Sequence, residues 1–114
     1  MLSMTSFKKW DVVLVPFPFT DLSTSKKRPA LIISPDGYNK FEDVVVMFIT
    51  SNVKASPKPG DYKLKEWKKS GLPKVSMTRM RFSTIQKTII IKKIGSLQDK
   101  DTAHLKKEIM KFFS

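Results

Sequence analysis

"ALIISPDGYNKFEDVVVMFIT", residues 30–50, holds two apolar runs rich in β-branched residues, 30–34 and 43–50, on either side of a polar segment with a Pro-Asp-Gly turn signal. Continuous apolar runs of this length read as central strands buried on both faces. So short a connection makes them an antiparallel hairpin centred near Asn39. That centre fixes the register: Ser34 opposite Val44, Ala30 opposite Phe48, and Arg28 opposite Thr50. A slip of one or two residues still leaves Arg28 beside Thr50 or Ser51.

Upstream, "DVVLVPFPF" (11–19) is strand one, stopped by Pro16 and Pro18, which have no N–H to give to a ladder. A hydroxyl-rich and then basic connection from about Pro18 to Lys27 leads into the hairpin. Downstream, 51–61 reads as a loop with two prolines and a glycine. "DYKLKEW" (61–67) alternates polar and apolar residues as an edge strand does. "KVSMTRMRF" (74–82) and "TIIIKKIG" (88–95) add two more, for a sheet of about six strands. From 96 onward the period changes, placing Leu105, Ile109, Phe112 and Phe113 on one helical stripe. Asp99 and Asp101 suit the first turn of that helix, and Lys106, Lys107 and Lys111 its later turns. The expected fold is mainly β with a C-terminal helix, a small, strongly bent antiparallel sheet or partly open barrel forming one domain over 1–114. No repeat, heptad run or low-complexity segment interrupts it. A barrel this small is too narrow to hold a ligand inside, so function is expected at its rim or on an exposed face.

Lys and Arg number 22 against 10 Asp and Glu, a formal charge of +12 that sets up a positive field and favours polyanionic partners. Charge alone does not choose between nucleic acid, an acidic protein and an anionic membrane. The absence of cysteine excludes disulfides and thiol chemistry and fits a reducing compartment, so a cytoplasmic location is expected. The N-terminal segment has no apolar core before its lysines, and no stretch is long enough for a membrane span, so no membrane partner is expected. Only Arg28, Arg79 and Arg81 are arginine, the better bidentate ligand for phosphate.

The hairpin register joins Arg28 to Thr50 and Ser51 where the connection brings Thr20, Ser23, Lys26 and Lys27. A cationic, hydroxyl-rich corner of this kind suits a phosphodiester. Against that stands a plainer role, a solvated charge and a strand-entry proline. Phe17 and Phe19 flank Pro18 and could stack on unpaired bases, or serve as core or dimer-interface residues. Arg79 and Arg81 alternate with Met80 on one strand face and could track a phosphate backbone, or simply be solvated. His104, the only histidine, precedes the apolar stripe and reads as a partly exposed helix residue rather than a catalytic base. Of the lysine pairs, only Lys26-Lys27 is counted with the site, and Glu42-Asp43 reads as solvation flanking an apolar strand.

"DVVLVPFPFTDLSTSKKRPALIIS", then "VVVMFITSN", then "FSTIQKTIIIKKIGSL", resembles the PemK/MazF toxins of type II toxin-antitoxin modules, from about Trp10 to the C-terminus. The resemblance implies a homodimeric SH3-like barrel of the PemK, MazF and CcdB kind. It also implies a metal-independent, cofactor-free endoribonuclease that cleaves single-stranded RNA at short sequences, leaving a 2′,3′-cyclic phosphate and a 5′-hydroxyl, and so inhibits growth. An acidic antitoxin would silence it, and operator DNA would be met only through that antitoxin. The family's catalytic arginine and threonine fall on Arg28 and Thr50, with Asn52 following Ser51 in the same segment as a further RNA-binding position. Two departures stand out: Trp10 replaces the glycine usual before the strand-one aspartate, and "LSTSKK" lacks the glycine often found before Arg-Pro. The alternatives are a gyrase poison on the same fold, which would act through C-terminal residues, and a non-catalytic module that binds single-stranded nucleic acid.

Overall fold

The computed structural model describes residues 6–16 and 26–114. β1 (Asp11–Pro16), β2 (Lys27–Ile32), β3 (Asp43–Thr50), β4 (Tyr62–Lys63), β5 (Met77–Gln86) and β6 (Lys92–Ser96) form one antiparallel sheet in the order β4-β5-β3-β2-β1-β6. The sheet curls into a half-barrel, and α2 (Asp99–Phe112) follows its last strand. None of the described helices is long and apolar enough to cross a membrane.

Strand parity explains the apolar runs 12–15, 30–32 and 44–49 of β1, β2 and β3. Val13, Val15, Ala30, Ile32, Val44 and Val46 point to one face, where Ile85 and Phe7 complete a first core. Val12, Leu31, Met47 and Ile49 point to the other, where Leu64, Leu72, Leu97 and Leu105 of α2 cover them. Successive side chains on these strands thus fill two cores, the pattern expected of strands buried on both sides.

The hairpin register is the expected one, with Ala30 opposite Phe48, Leu31 opposite Met47 and Ile32 opposite Val46. Its connection is not a simple Pro-Asp-Gly turn. Residues Asp36–Asn39 wind into a single helical turn, α1, and Asn39 is buried beneath it. Asn39 Nδ2 donates to the Ser34 carbonyl at 2.9 Å, while Ser34 Oγ accepts the Val45 N–H at 2.9 Å. The buried asparagine therefore closes the hairpin near its predicted centre by bonding the backbone that the turn leaves open.

Other boundaries move for identifiable reasons. β2 begins at Lys27 rather than residue 30, because its first residues pair with β1, Arg28 opposite Val15 and Lys27 opposite Pro16. The β2–β3 ladder stops at Ala30↔Phe48, next to Pro29, which has no N–H to extend it. The edge strand expected over 61–67 shrinks to two residues, because the N–H groups of Lys65 and Glu66 donate to Asp101 of α2, each at 2.9 Å. Lys87–Ile89 turn as a 3-10 helix, so the last strand starts only at Lys92.

Trp10 takes a φ of 77°, the left-handed conformation that glycine adopts freely and a bulky residue adopts at a strain of roughly 1–3 kcal/mol. Its N–H donates to the Ile32 carbonyl at 2.6 Å and its carbonyl accepts the Leu97 N–H at 2.8 Å. The bend before Asp11 thus persists without glycine, held by hydrogen bonds to both neighbouring segments.

Candidate functional site

β3 and β5 pair regularly from Asp43↔Gln86 to Met47↔Phe82, and again at Ile49↔Thr78. Between those points the register shifts, and Arg79, Met80 and Arg81 face the single residue Phe48. An extra-residue bulge bends its strand and re-aims the side chains it carries. Here both arginines reach the wall of one cavity.

That cavity has a volume of about 320 Å³. Arg28 enters from β2, Thr50 and Phe48 from β3, and Arg79 and Arg81 from β5. Ser51, Asn52 and Ala55 form the wall that continues past the end of β3. The chain has three arginines and nineteen lysines; all three arginines line this cavity and none of the lysines does. Among the described residues, no carboxylate or imidazole lines the cavity. Arg28 and Arg81 are exposed, whereas Arg79 is half-buried.

Two local bonds order the site. The Asn52 N–H donates to Thr50 Oγ1 at 3.0 Å. With one lone pair of the hydroxyl so occupied, its proton is left to donate to a ligand in the cavity. Arg79 Nη2 donates to the Ser56 carbonyl at 3.0 Å and to Asp61 Oδ2 at 3.2 Å, an ion pair that spans the base of the loop after β3.

Of the residues singled out from sequence, Arg28, Thr50, Ser51, Asn52, Arg79 and Arg81 come together. Lys26 and Lys27 are exposed and lie off the cavity wall. Phe17, Phe19, Thr20 and Ser23 fall outside the described residues. His104 sits on α2, stacked on the Tyr62 ring at 4.3 Å and 4.0 Å from Glu108, and does not line the cavity. Among the described residues no group of three or more His, Cys, Asp or Glu side chains could hold a metal ion.

Sequence reasoning missed Asp61, Phe48 and Ala55. Asp61 is eighteen residues from Arg79, and no spacing rule links a loop aspartate to a strand arginine at that distance. Phe48 carried a signal, because it pairs with Ala30 and lies two residues before Thr50, on the same face of its strand.

The family described as PemK-like, MazF-like toxin of type II toxin-antitoxin system matches residues 8–113. Several solved structures share the fold. A mycobacterial endoribonuclease in complex with its cognate antitoxin superposes with a TM-score of 0.72 at 15% identity, over 93% of this chain and 91% of that one. The Mycobacterium tuberculosis toxin MazF-mt6 gives 0.70 at 20% identity, over 90% and 95%. The MazE-MazF complex of Deinococcus radiodurans gives 0.73 at 16% identity, over 96% and 97%. No curated protein sequence matches.

Proposed function

Because this chain belongs to the PemK-like, MazF-like toxins of type II toxin-antitoxin systems, we propose that it is a single-domain endoribonuclease acting on single-stranded RNA. The observation that carries this reading is the convergence of all three arginines with the Thr50 hydroxyl on one open cavity. A guanidinium matches two phosphate oxygens in a fork, and an oriented hydroxyl adds a third donor.

In this reading the ribose 2′-hydroxyl gives up its proton as it attacks the adjacent phosphorus, the bond to the 5′-oxygen breaks and that oxygen takes up a proton, and the products carry a 2′,3′-cyclic phosphate and a 5′-hydroxyl. The nucleophile belongs to the substrate, so the reaction needs no metal-activated water and no nucleophilic side chain. The protein's task is to stabilise a dianionic phosphorane. Arg28, always charged and lacking a lone pair for proton abstraction, clamps two phosphate oxygens. Thr50 donates to a phosphate oxygen, its direction set by the Asn52 N–H. Oriented donors of this kind act where charge develops in the transition state.

The charge of +12 supports two further parts of the reading: recruitment of RNA through its phosphates, and silencing by an acidic antitoxin. A solved neighbour bound to its cognate antitoxin is consistent with the second. The working form is a homodimer in the cytoplasm, where the RNA is, and operator DNA is met only through the antitoxin.

The test is incubation of purified protein with a long single-stranded RNA in EDTA, followed by mapping of the ends. New 5′-hydroxyl ends at a recurring short motif, absent with Arg28→Ala, are expected. Intact RNA would overturn the reading in favour of a binding role, which a DNA supercoiling assay would then divide between gyrase poison and plain nucleic-acid binder.

A further inference from the structure

The Arg79 guanidinium is tied into the fold. Its Nη2 is engaged by Asp61 and by the Ser56 carbonyl, and Asp61 Oδ2 also accepts the Lys58 N–H at 2.9 Å. The Asp61 side chain is only 9% exposed and that of Arg79 21%, so the pair is shielded from much of the screening that weakens surface ion pairs. Asp61 answers part of the Arg79 charge, so Arg79 adds less to the cationic wall than the exposed Arg81 on the same cavity.

What the Arg79–Asp61 pair does hold is the loop from Ser51 to Asp61. Its middle is tied at Ser56 and its end at Asp61. The neighbouring residue on β5 grips the same segment: Gly60 has a φ of +88°, and a Cβ there would meet Met80 Cγ at 2.6 Å. Two consecutive residues of the bulge thus template the loop, one through its guanidinium and one through close packing against a glycine. The start of that loop supplies Ser51, Asn52 and Ala55 to the cavity wall. Ser51 and Asn52 carry a hydroxyl and an amide, groups that can read base edges through donors and acceptors, which guanidinium groups gripping phosphates do not.

We propose that Arg79 is a positioning residue whose tie to Asp61 sets the loop wall of the cavity, and thereby which base is accepted next to the cleaved phosphate. The inference rests on the endoribonuclease reading. It assigns base selection to an ion pair whose acidic member does not line the cavity.

The experiment maps cleavage ends on a pool of long single-stranded RNAs for the wild-type chain, Asp61→Asn, Asp61→Glu and Gly60→Ala. Each variant is first checked for folding by circular dichroism. The readout is the cleavage rate at the preferred motif divided by the rate at its single-base variants, a ratio that a uniform loss of active protein leaves unchanged. Asp61→Asn is expected to keep cleaving while this ratio falls about tenfold, the size of one lost recognition contact. Asp61→Glu should restore much of the ratio. Gly60→Ala, which disturbs the loop without touching charge, should lower it as well and decides the question if Asp61→Asn fails to fold. A folded Asp61→Asn or Gly60→Ala protein with the wild-type ratio overturns the proposal. Intact RNA with the wild-type chain overturns the nuclease reading and this inference with it.

Discussion

On one side of the sheet three guanidinium groups converge on an open cavity whose described lining residues include no carboxylate. On the other, beneath α2, the carboxylate of Asp101 is fully buried and accepts from the Tyr62 hydroxyl and the N–H groups of Lys65 and Glu66. The first arrangement leaves Arg28 and Arg81 exposed on a concavity where a polyanion could reach them. The second answers its one charge with three donors and joins the helix to the segment after β4. Charge exposed on a concavity is accessible for binding, whereas charge buried and fully bonded fixes the fold. Substitutions in the two regions should therefore separate activity from stability.

The sharpest division is expected from Arg28→Ala. RNA cleavage should fall by about 10² to 10³ or more, the size of one lost transition-state donor, while the urea midpoint stays close to wild type because the side chain is exposed. Wild-type-like cleavage by a folded Arg28→Ala protein would break the comparison. Asp101→Ala is its counterpart. It leaves two backbone N–H groups and a phenol without their acceptor and should destabilise the chain by about 3 kcal/mol or more in urea unfolding. The fraction that remains folded should still cleave RNA. Thr50→Val removes the hydroxyl held by the Asn52 N–H and should slow cleavage about tenfold or more with a much smaller change in stability.

Tyr62→Phe has the smallest expected effect, about 1 kcal/mol from one hydrogen bond, and it carries a pH signature. Burial first, then the hydrogen bond to Asp101 and that carboxylate's charge, push the phenol well above its ordinary value. The folded chain then keeps a proton that the unfolded chain loses near pH ~10, so the contribution is complete below that pH and declines as pH rises through it. Unfolding free energies measured across pH 9 to ~11 should show this alkaline decline in the wild type and less of it in Tyr62→Phe.

Much of the sheet was legible in the sequence because its strands carry β-branched residues in runs that a helix would not bury on both faces. β3 falls on 43–50 as expected, and the 30–34 and 43–50 runs pair in the expected register. The misread elements share a cause. Residues 64–67 alternate like a strand, yet a distant aspartate takes two of their N–H groups. Asp101 itself read as a helix-dipole residue of the first turn, and burial turns it into the anchor of that helix. Leu105 and Ile109 reach the second core as the helical stripe requires, but Phe112 and Phe113 remain 47% and 65% exposed and touch Phe82 instead.

By itself the sequence determined the strand order along the chain and the central hairpin register, from which Arg28 and Thr50 were expected at one end of the hairpin, because side-chain period and turn length act over a few residues. It also marked the three arginines as unlike the lysines around them. Tertiary structure alone decided that Arg79 and Arg81 join Arg28, since that depends on a bulge opposite Phe48 that no local pattern announces. It alone paired Asp61 with Arg79 and Asp101 with the backbone after β4. A buried or shielded charge is satisfied by whatever donors or partner charges the fold brings near, and those are not set by sequence distance.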